Sequence, residues 1–275
     1  MASFDSYEKN LSKRLDELRR GDRAYTLNTF SIVETLEYES PDIEETDILR
    51  VLDVGCGLGF AALTLSKWKG TQVVGIDPSS KAIELAISEH AEAENLKFYP
   101  LSAEEFAEKR EALSEPLFNR AVLNMVIHSI SDDAAISVLK SIKSCLMPHG
   151  SLSLVVPDEV WIVQKLVEKG YAAGMSFEEM NPWGRALMSQ KSIDLAVGIR
   201  GEKEYDEPIT IYNRSLNDYD ALLIEAGYGV GVMTPTPQNP SLVSDRVVGF
   251  YEPRDRALGY DLSSRDRHLL LTIAR

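Results

Sequence analysis

Short apolar stretches alternate with longer amphipathic ones along residues 48–157. The apolar stretches are too continuous for strands with one face in water, so they predict strands buried on both faces. The amphipathic stretches place their apolar residues at helical spacing, as Ile83, Ala86 and Ile87 show. The predicted strands cover 48–55, 71–77, 96–101, 118–127 and 151–156, and the predicted helices cover 60–69, 79–94, 103–113 and 131–147.

This alternation of strand and helix, joined by short turns, predicts parallel strands linked by right-handed crossovers. The expected fold is therefore an α/β doubly wound sheet with helices on both faces. In such sheets a ligand binds beyond the carboxyl ends of the strands, near the point where strand order reverses. The turn after the first strand lies at that edge.

The pattern loosens over residues 158–210, which read as partly helical and partly irregular. Regularity returns with a helix over 216–227, which Ser215 caps and Gly227 stops. Strands over 228–233 and 267–274 follow. No repeat or long low-complexity linker divides the chain, so residues 1–275 predict a single domain.

Composition and charge disfavour some classes of function. The chain has 275 residues, 44% of them hydrophobic, enough for one sizeable core. A formal net charge of −14 disfavours a nucleic-acid partner, because phosphate backbones repel an acidic surface. The basic stretch 9–23 is interrupted by acidic residues and is read as a solvated helix face.

Cysteine usage and hydropathy suggest a location. The only cysteines, Cys56 and Cys145, give no disulfide framework and favour a reducing compartment. The first ten residues carry charges where a signal peptide would be apolar, and no apolar run approaches the roughly 18–20 residues of a membrane span. We expect a cytoplasmic protein without a membrane partner.

The segment VLDVGCGLG, residues 51–59, follows the first predicted strand. Its glycines are Gly55, Gly57 and Gly59. They let the backbone turn sharply and approach a ligand closely. Asp77 ends the next strand, where a carboxylate can accept hydrogen bonds from a ribose diol. A dinucleotide fingerprint would need a small residue where Phe60 stands, so the turn disfavours a pyrophosphate.

VLDVGCGLG followed by VVGIDPSS resembles the first two motifs of the class I S-adenosylmethionine-dependent methyltransferases. Segments 100–106, 118–130, 146–158 and 215–230 resemble later parts of that family in order and spacing. The resemblance covers 48–157 well, 211–233 moderately and 158–210 weakly. It implies S-adenosyl-L-methionine as cofactor, S-adenosyl-L-homocysteine as product, and a mostly parallel seven-stranded sheet whose last strand, 267–274, is antiparallel.

We expect the single domain to divide into four parts. Its parts are N-terminal helices over 1–47, a cofactor-binding core over 48–157, a helical cap or acceptor segment over 158–210, and the rest of the sheet over 211–275.

The same resemblance implies roles for individual residues. The methionine end of the cofactor is lined by Asp53, by the backbone of Gly55, Cys56 and Gly57 in the turn that Gly59 completes, and by Asn124. The ribose and adenine are bordered by Asp77, Pro78, Ser102, Ala103 and Glu104.

Two positions depart from the common family pattern. Ser102 stands where many members carry an aspartate beside the adenine amino group. Its hydroxyl either accepts that hydrogen bond or caps the helix over 103–113 in a capping box with Glu105. Asn119 replaces an aspartate in the fourth strand, at a position that is usually structural.

The catalytic machinery is less clearly marked. His128 follows the fourth strand, where it could act as a general base or have only a structural role. Aromatic residues of 158–190 form either core or a cap over the methyl acceptor. In the cap interpretation the acceptor pocket comprises Trp161, Tyr171, Trp183 and Tyr212. No Cys, His, Asp and Glu set has metal-ligand spacing, so we expect no metal.

The predicted function is methyl transfer to an oxygen, nitrogen or carbon of a small molecule, by direct displacement between positioned reactants. The Asn/Asp-Pro-Pro-aromatic motif of amide- and nucleobase-modifying relatives is absent, since Met125 and Val126 follow Asn124. Two alternatives remain. One is a fold-mate or partner protein that binds S-adenosylmethionine without methylating, and the other is a nicotinamide-dependent oxidoreductase, which Phe60 disfavours.

Overall fold

The computed structural model describes residues 11, 15–16, 48–68, 70–157, 174, 176, 190–195, 209–229, 233–235 and 269–274. The strands are β1 (Leu49–Val54), β2 (Thr71–Ile76), β3 (Leu96–Tyr99), β4 (Phe118–Asn124), β5 (Leu146–Pro157), β6 (Ser192–Leu195), β7 (Ile209–Tyr212), β8 (Met233–Pro235) and β9 (Leu269–Ala274). The α-helices are α1 (Phe60–Ser66), α2 (Ser80–Glu89), α3 (Ala103–Lys109), α4 (Asp132–Cys145) and α5 (Leu216–Glu225). A 3-10 helix covers Ile127–Ser129.

The strands form a sheet in the order β3-β2-β1-β4-β5-β9-β8. Neighbours among β1 to β5 are parallel, whereas β9 is antiparallel to both β5 and β8. The predicted α/β sheet is thus confirmed for its five parallel strands. Strand order reverses between β1 and β4, so their carboxyl ends flank the crevice where such sheets bind ligands.

Helices cover the sheet on both faces because each strand alternates its side chains between two cores. Leu52 and Val54 join the core beneath α3, α4 and α5, whereas Leu49 and Val51 join the core beneath α1. Alternation places Asp53 on the second face. That carboxylate therefore lies among apolar side chains on a buried strand, which sets up the electrostatics of the site.

Several predicted boundaries are wrong, two of them for a reason that the structure shows. The helix over 131–147 ends at Cys145, because Leu146 pairs with Phe118 and opens β5. The strand over 228–233 does not begin at Tyr228, whose side chain is buried and whose Oη donates to the Leu139 carbonyl; β8 covers Met233–Pro235.

Part of the segment predicted as irregular or helical forms strands. β6 and β7 pair antiparallel in a separate two-stranded sheet, with Ile193 and Ile211 buried. Their alternation is too short to distinguish from irregular chain. Most of the predicted cap over 158–210 lies outside the described residues, as do Trp161, Tyr171 and Trp183.

The predicted N-terminal helices over 1–47 also lie largely outside the described residues. Within them, Leu11 and Leu15 are helical and buried, and they pack with Leu58 and Ala82. The N-terminal segment thus contacts the glycine turn. In the described part of the chain, no helix combines the length and apolarity needed to cross a membrane.

Candidate functional site

The glycine turn is fixed to the end of β2 by its own backbone. The amides of Gly55 and Cys56 donate to the Ile76 carbonyl at 2.8 and 3.0 Å. The amide of Gly57 donates to Asp77 Oδ2 at 3.0 Å. The turn and the acid of the next strand therefore form one connected unit, as the sequence spacing predicts.

Two glycines of this turn are required by geometry. Gly55 and Gly59 have φ values of 68° and 76°, a region that favours glycine. A Cβ on Gly55 would lie 2.5 Å from Val126 Cγ2. A Cβ on Gly59 would lie 2.5 Å from Phe98 Cζ. Side chains thus pack directly against the turn from both β3 and the segment after β4.

Asp53 is the most perturbed acid of the site. It is 1% exposed, and its Oδ2 has no hydrogen-bond partner among the described residues. Burial raises the pKa of Asp53 to about 7, a rise opposed by a hydrogen bond from the Ala62 backbone and increased by nearby Asp77. A buried carboxylate in this state would gain from a cationic donor.

Asn124 provides a second such group. It is the last residue of β4, next to β1 in the sheet. Its Oδ1 is buried and has no partner among the described residues. Because buried polar groups are normally hydrogen-bonded, two orphaned oxygens at the ends of adjacent strands indicate a site for a ligand with several donors.

Asp77 differs from Asp53 in being held by the backbone. It is 6% exposed, with Oδ2 bonded to Gly57 and Oδ1 accepting from the Ser79 amide at 2.9 Å. The acid beside the glycine turn is therefore buried. A carboxylate has about four acceptor sites, and the two backbone donors fix the orientation of this one at the end of β2.

Some of the residues predicted to border the adenine have structural contacts, and others are accessible to a ligand. Ser102 and Glu105 form the expected capping box of α3, with bonds of 3.2 and 3.0 Å. The Ala103 side chain belongs to the core, so only its backbone remains for a ligand. Glu104 is half-buried and Pro78 is exposed. Contact of these residues with adenine stays a prediction.

Cys56 has the character of a packing residue. Its half-buried thiol lies beside two acids, and burial followed by the charges of Asp53 and Asp77 raises the pKa of Cys56 well above its ordinary value. Such a thiol carries little thiolate at neutral pH and is a poor nucleophile.

His128 lies in the 3-10 helix after β4 and is buried. The preceding Met125 has φ 56°, a left-handed conformation that is uncommon outside glycine. Tyr212, at the end of β7, is half-buried, and the Arg214 guanidinium carbon lies 5.1 Å from its ring centroid. The structure thus brings β7 against the segment that carries the predicted base.

His90 is a residue of this region that sequence reasoning missed. At the end of α2, its Nε2 lies 2.9 Å from the Leu58 carbonyl oxygen in the glycine turn. Its ring also packs with Phe60 and Phe98, at centroid distances of 5.7 and 6.1 Å. No local signal in the sequence links His90 to Leu58, a residue 32 positions away.

Asn119 explains one departure from the family pattern. Its Oδ1 accepts the Arg50 amide of β1 at 2.9 Å. This bond joins neighbouring strands away from the ligand edge, so the residue is structural, as expected. Among the described residues, no group of three or more Cys, His, Asp and Glu side chains could hold a metal ion.

The edge formed by the carboxyl ends of β1, β2 and β4 presents hydrogen-bond acceptors. Asp53 and Asn124 present buried unsatisfied oxygens, and Asp77 presents an oriented carboxylate. Such a set suits a ligand with an ammonium group and a vicinal diol, and it repels phosphate.

The chain is similar to known proteins over most of its length. The sequence profile of a family described as a methyltransferase domain matches residues 6–197. No curated protein is detectably similar to the chain in sequence.

Solved structures share the fold at low sequence identity. Magnesium protoporphyrin IX methyltransferase from Synechocystis, with bound S-adenosylhomocysteine, has a TM-score of 0.59 and 14% identity, over 100% of this chain and 99% of that one. The plantazolicin methyltransferase BamL has a TM-score of 0.58 and 17% identity, over 97% and 89%. A toxoflavin-precursor N1-methyltransferase from Burkholderia thailandensis has a TM-score of 0.55 and 14% identity, over 100% and 90%.

Proposed function

Because the chain belongs to the methyltransferase-domain family, we propose that it transfers the methyl group of S-adenosyl-L-methionine to a small molecule. The predicted methyltransferase class is confirmed by the family match. The cofactor is supported by the structural relatives, of which the Synechocystis and Burkholderia enzymes hold S-adenosylhomocysteine. Those relatives act on a tetrapyrrole and a heterocycle, which supports a small-molecule acceptor here.

The pair of orphaned oxygens on Asp53 and Asn124 carries this proposal. An α-ammonium group offers three donors and no acceptor, so it satisfies both oxygens and compensates the buried charge of Asp53. Asp77, already oriented by the Gly57 and Ser79 amides, accepts from ribose hydroxyls. A nicotinamide dinucleotide has no amino-acid end and would leave the two oxygens unsatisfied.

The cofactor, when bound, supplies a methyl group on a positively charged sulfur that is already activated for displacement. The protein then needs mainly to align the reactants and exclude water. Positioning of this kind contributes roughly 7–11 kcal/mol. Asp53, Asn124 and the glycine turn hold the donor side, and the segment after β4 faces the methyl acceptor.

His128 is the residue we assign to a proton on the methyl acceptor. It is buried at the carboxyl edge of the sheet, on the segment that continues from Asn124. A base is needed only when the nucleophile enters protonated. Aromatic residues of 158–210, with Tyr212, are proposed to cover the acceptor, in the cytoplasm and without a nucleic-acid or membrane partner.

A transfer assay tests the function. Wild-type protein is incubated with S-adenosylmethionine labelled in its methyl group and with small molecules bearing phenol, carboxyl, amine or ring-nitrogen nucleophiles. We expect label in at least one class, with release of S-adenosylhomocysteine. His128→Gln should lower the rate with a protonated phenol or amine more than with a carboxylate, which needs no base.

Two controls separate the alternatives. Asp77→Asn should lower transfer to every methyl acceptor through weaker cofactor binding, whereas Asp133→Asn, at an exposed position in α4, should leave it unchanged. Cofactor binding without transfer to any class would favour the non-methylating fold-mate. Equal wild-type and His128→Gln rates with the phenol would remove the base from the mechanism.

A further inference from the structure

Arg214 is a buried cation immediately after β7. It is 4% exposed, and each nitrogen of its guanidinium donates a hydrogen bond. Nη1 donates to the Ile127 carbonyl at 2.6 Å, Nη2 to the Ile130 carbonyl at 2.7 Å, and Nε to Asp132 Oδ1 at 2.8 Å. The two carbonyls flank His128, so one side chain spans the segment that carries the proposed base.

This arrangement is not explained by stability alone. Burying a charge is costly, and an apolar side chain of similar volume would commonly stabilise the fold as well or better. Asp132 is 64% exposed, so water screens its ion pair with Arg214. The carbonyl partners of Arg214, one in a buried and one in a part-buried bond, are bridged by two separate nitrogens of a planar guanidinium, a geometry that the single nitrogen of a lysine does not reproduce.

The bridged segment has a conformation that needs support. Met125 is left-handed at φ 56°, and such conformations persist only where the surroundings hold them. Its amide donates to the Val155 carbonyl at 2.9 Å, and the Ser129 hydroxyl donates to the Val126 carbonyl at 2.7 Å. Arg214 adds the clamp at the far end of the same segment.

The segment also contacts the cofactor side of the site. Val126 packs so closely on Gly55 that any Cβ there would lie 2.5 Å from Val126 Cγ2. A shift of the segment after β4 would therefore disturb the glycine turn as well as His128. Arg214 in turn lies over the ring of Tyr212 in β7, with 5.1 Å from the guanidinium carbon to the ring centroid.

We propose that Arg214 is a positioning residue that fixes residues 125–130, the segment between β4 and α4, and thereby sets the places of His128 and Val126 at the ligand edge. It acts through the backbone and touches neither ligand. The identification of this edge as the ligand edge rests on the proposed function. The hydrogen bonds by which Arg214 holds the segment do not depend on methyl transfer.

The test uses imidazole NMR signals of the full chain with and without S-adenosylhomocysteine. His128 and His90 signals are assigned with His128→Gln and His90→Gln. Arg214→Lys keeps the charge and removes the bridge. The matched control is Arg110→Lys, because Arg110 also donates to a backbone carbonyl, that of Glu115 at 2.7 Å, away from the site.

In Arg214→Lys we expect the His128 signals to broaden or split more than the His90 signals, because His90 is bonded to Leu58, at the other end of the turn from the Gly55 that Val126 contacts. Calorimetry should show S-adenosylhomocysteine binding weakened about tenfold. Arg110→Lys should change neither readout. Unaltered His128 signals in folded Arg214→Lys would overturn the proposal, and weaker binding without that spectral change would indicate a merely structural residue.

If Arg214→Lys loses the His90 signals as well, that variant has lost its fold. Asp132→Ala is then the variant that tests the proposal. Removing this exposed partner leaves both carbonyl bonds in place, so the His128 signals and the affinity for S-adenosylhomocysteine should stay close to wild type. Broadened His128 signals or a tenfold loss of affinity in Asp132→Ala would assign the positioning to the ion pair and would contradict the clamp. If wild-type protein failed to bind S-adenosylhomocysteine, the proposed function would fail while the ligand-free spectra still tested Arg214.

Discussion

At the scale of single residues, the buried acid Asp53 makes the stability of the protein depend on pH. Burial raises the pKa of Asp53 to about 7 from 3.8, which means that the folded state favours the protonated acid. For an acid shifted upward, the stabilising contribution is complete below the unfolded pKa and is lost as pH rises through the folded pKa. A bound ammonium group reverses this cost by favouring the carboxylate.

We therefore predict that Asp53→Asn gains stability relative to wild type as pH rises from 5.5 to 7. One pKa unit corresponds to about 1.4 kcal/mol, so the relative gain should be roughly 2 kcal/mol over that interval. Urea unfolding at each pH measures it. In calorimetry, wild-type affinity for S-adenosylhomocysteine should rise over the same interval, whereas Asp53→Asn affinity should stay flat. Parallel stability curves for the two proteins would contradict the buried-acid account.

Individual residues differed in how far the sequence could predict them. Asp77 and the Ser102 capping box follow from spacing within a few residues of a strand or helix end, and the structure has both where they were expected. His90 and Arg214 were not predictable, because their partners lie 32 and 82–87 positions away. Only the folded sheet brings those groups together.

At the scale of elements, the strand–helix alternation predicted β1 to β5 because buried parallel strands leave a continuous apolar pattern. The predicted end of α4 was wrong. Leu146 pairs with Phe118 in the sheet, so the helix ends at Cys145 and does not continue toward Pro148. β6 and β7 were missed because four-residue strands outside the main sheet leave almost no periodic signal. The glycine turn is the element on which the site depends most.

Gly59→Ala should damage this turn for two separable reasons. The left-handed backbone costs about 1–2 kcal/mol for a residue with a Cβ, and displacing Phe98 adds roughly 1–3 kcal/mol. Gly174→Ala is a matched control, because Gly174 has the same φ of 76° but nothing within 4 Å of its Cβ position. Chemical unfolding should show the larger loss for Gly59→Ala. Equal losses would mean that Phe98 does not constrain the turn. Adding Phe98→Leu to Gly59→Ala should restore part of the stability that Gly59→Ala loses beyond Gly174→Ala.

At the scale of the whole molecule, the sheet order explains why distant residues share one site. The carboxyl ends of β1, β2 and β4 are adjacent in the sheet although Asp53, Asp77 and Asn124 are far apart in sequence. The N-terminal segment contacts the same edge through Leu11 and Leu15, which pack with Leu58. The chain belongs to the methyltransferase-domain family, and we propose that the transfer takes place at this edge.

The most direct test of the central claim is a calorimetric titration of the full chain with S-adenosylhomocysteine and, separately, with NAD. The account predicts binding of S-adenosylhomocysteine in the micromolar range and none of NAD. Asp77→Asn should weaken binding by about 2 kcal/mol, or roughly 30-fold, through lost charge-assisted bonds to the ribose, and Asp133→Asn should not. Folded wild-type protein that fails to bind S-adenosylhomocysteine, or binds NAD more tightly, would contradict the account.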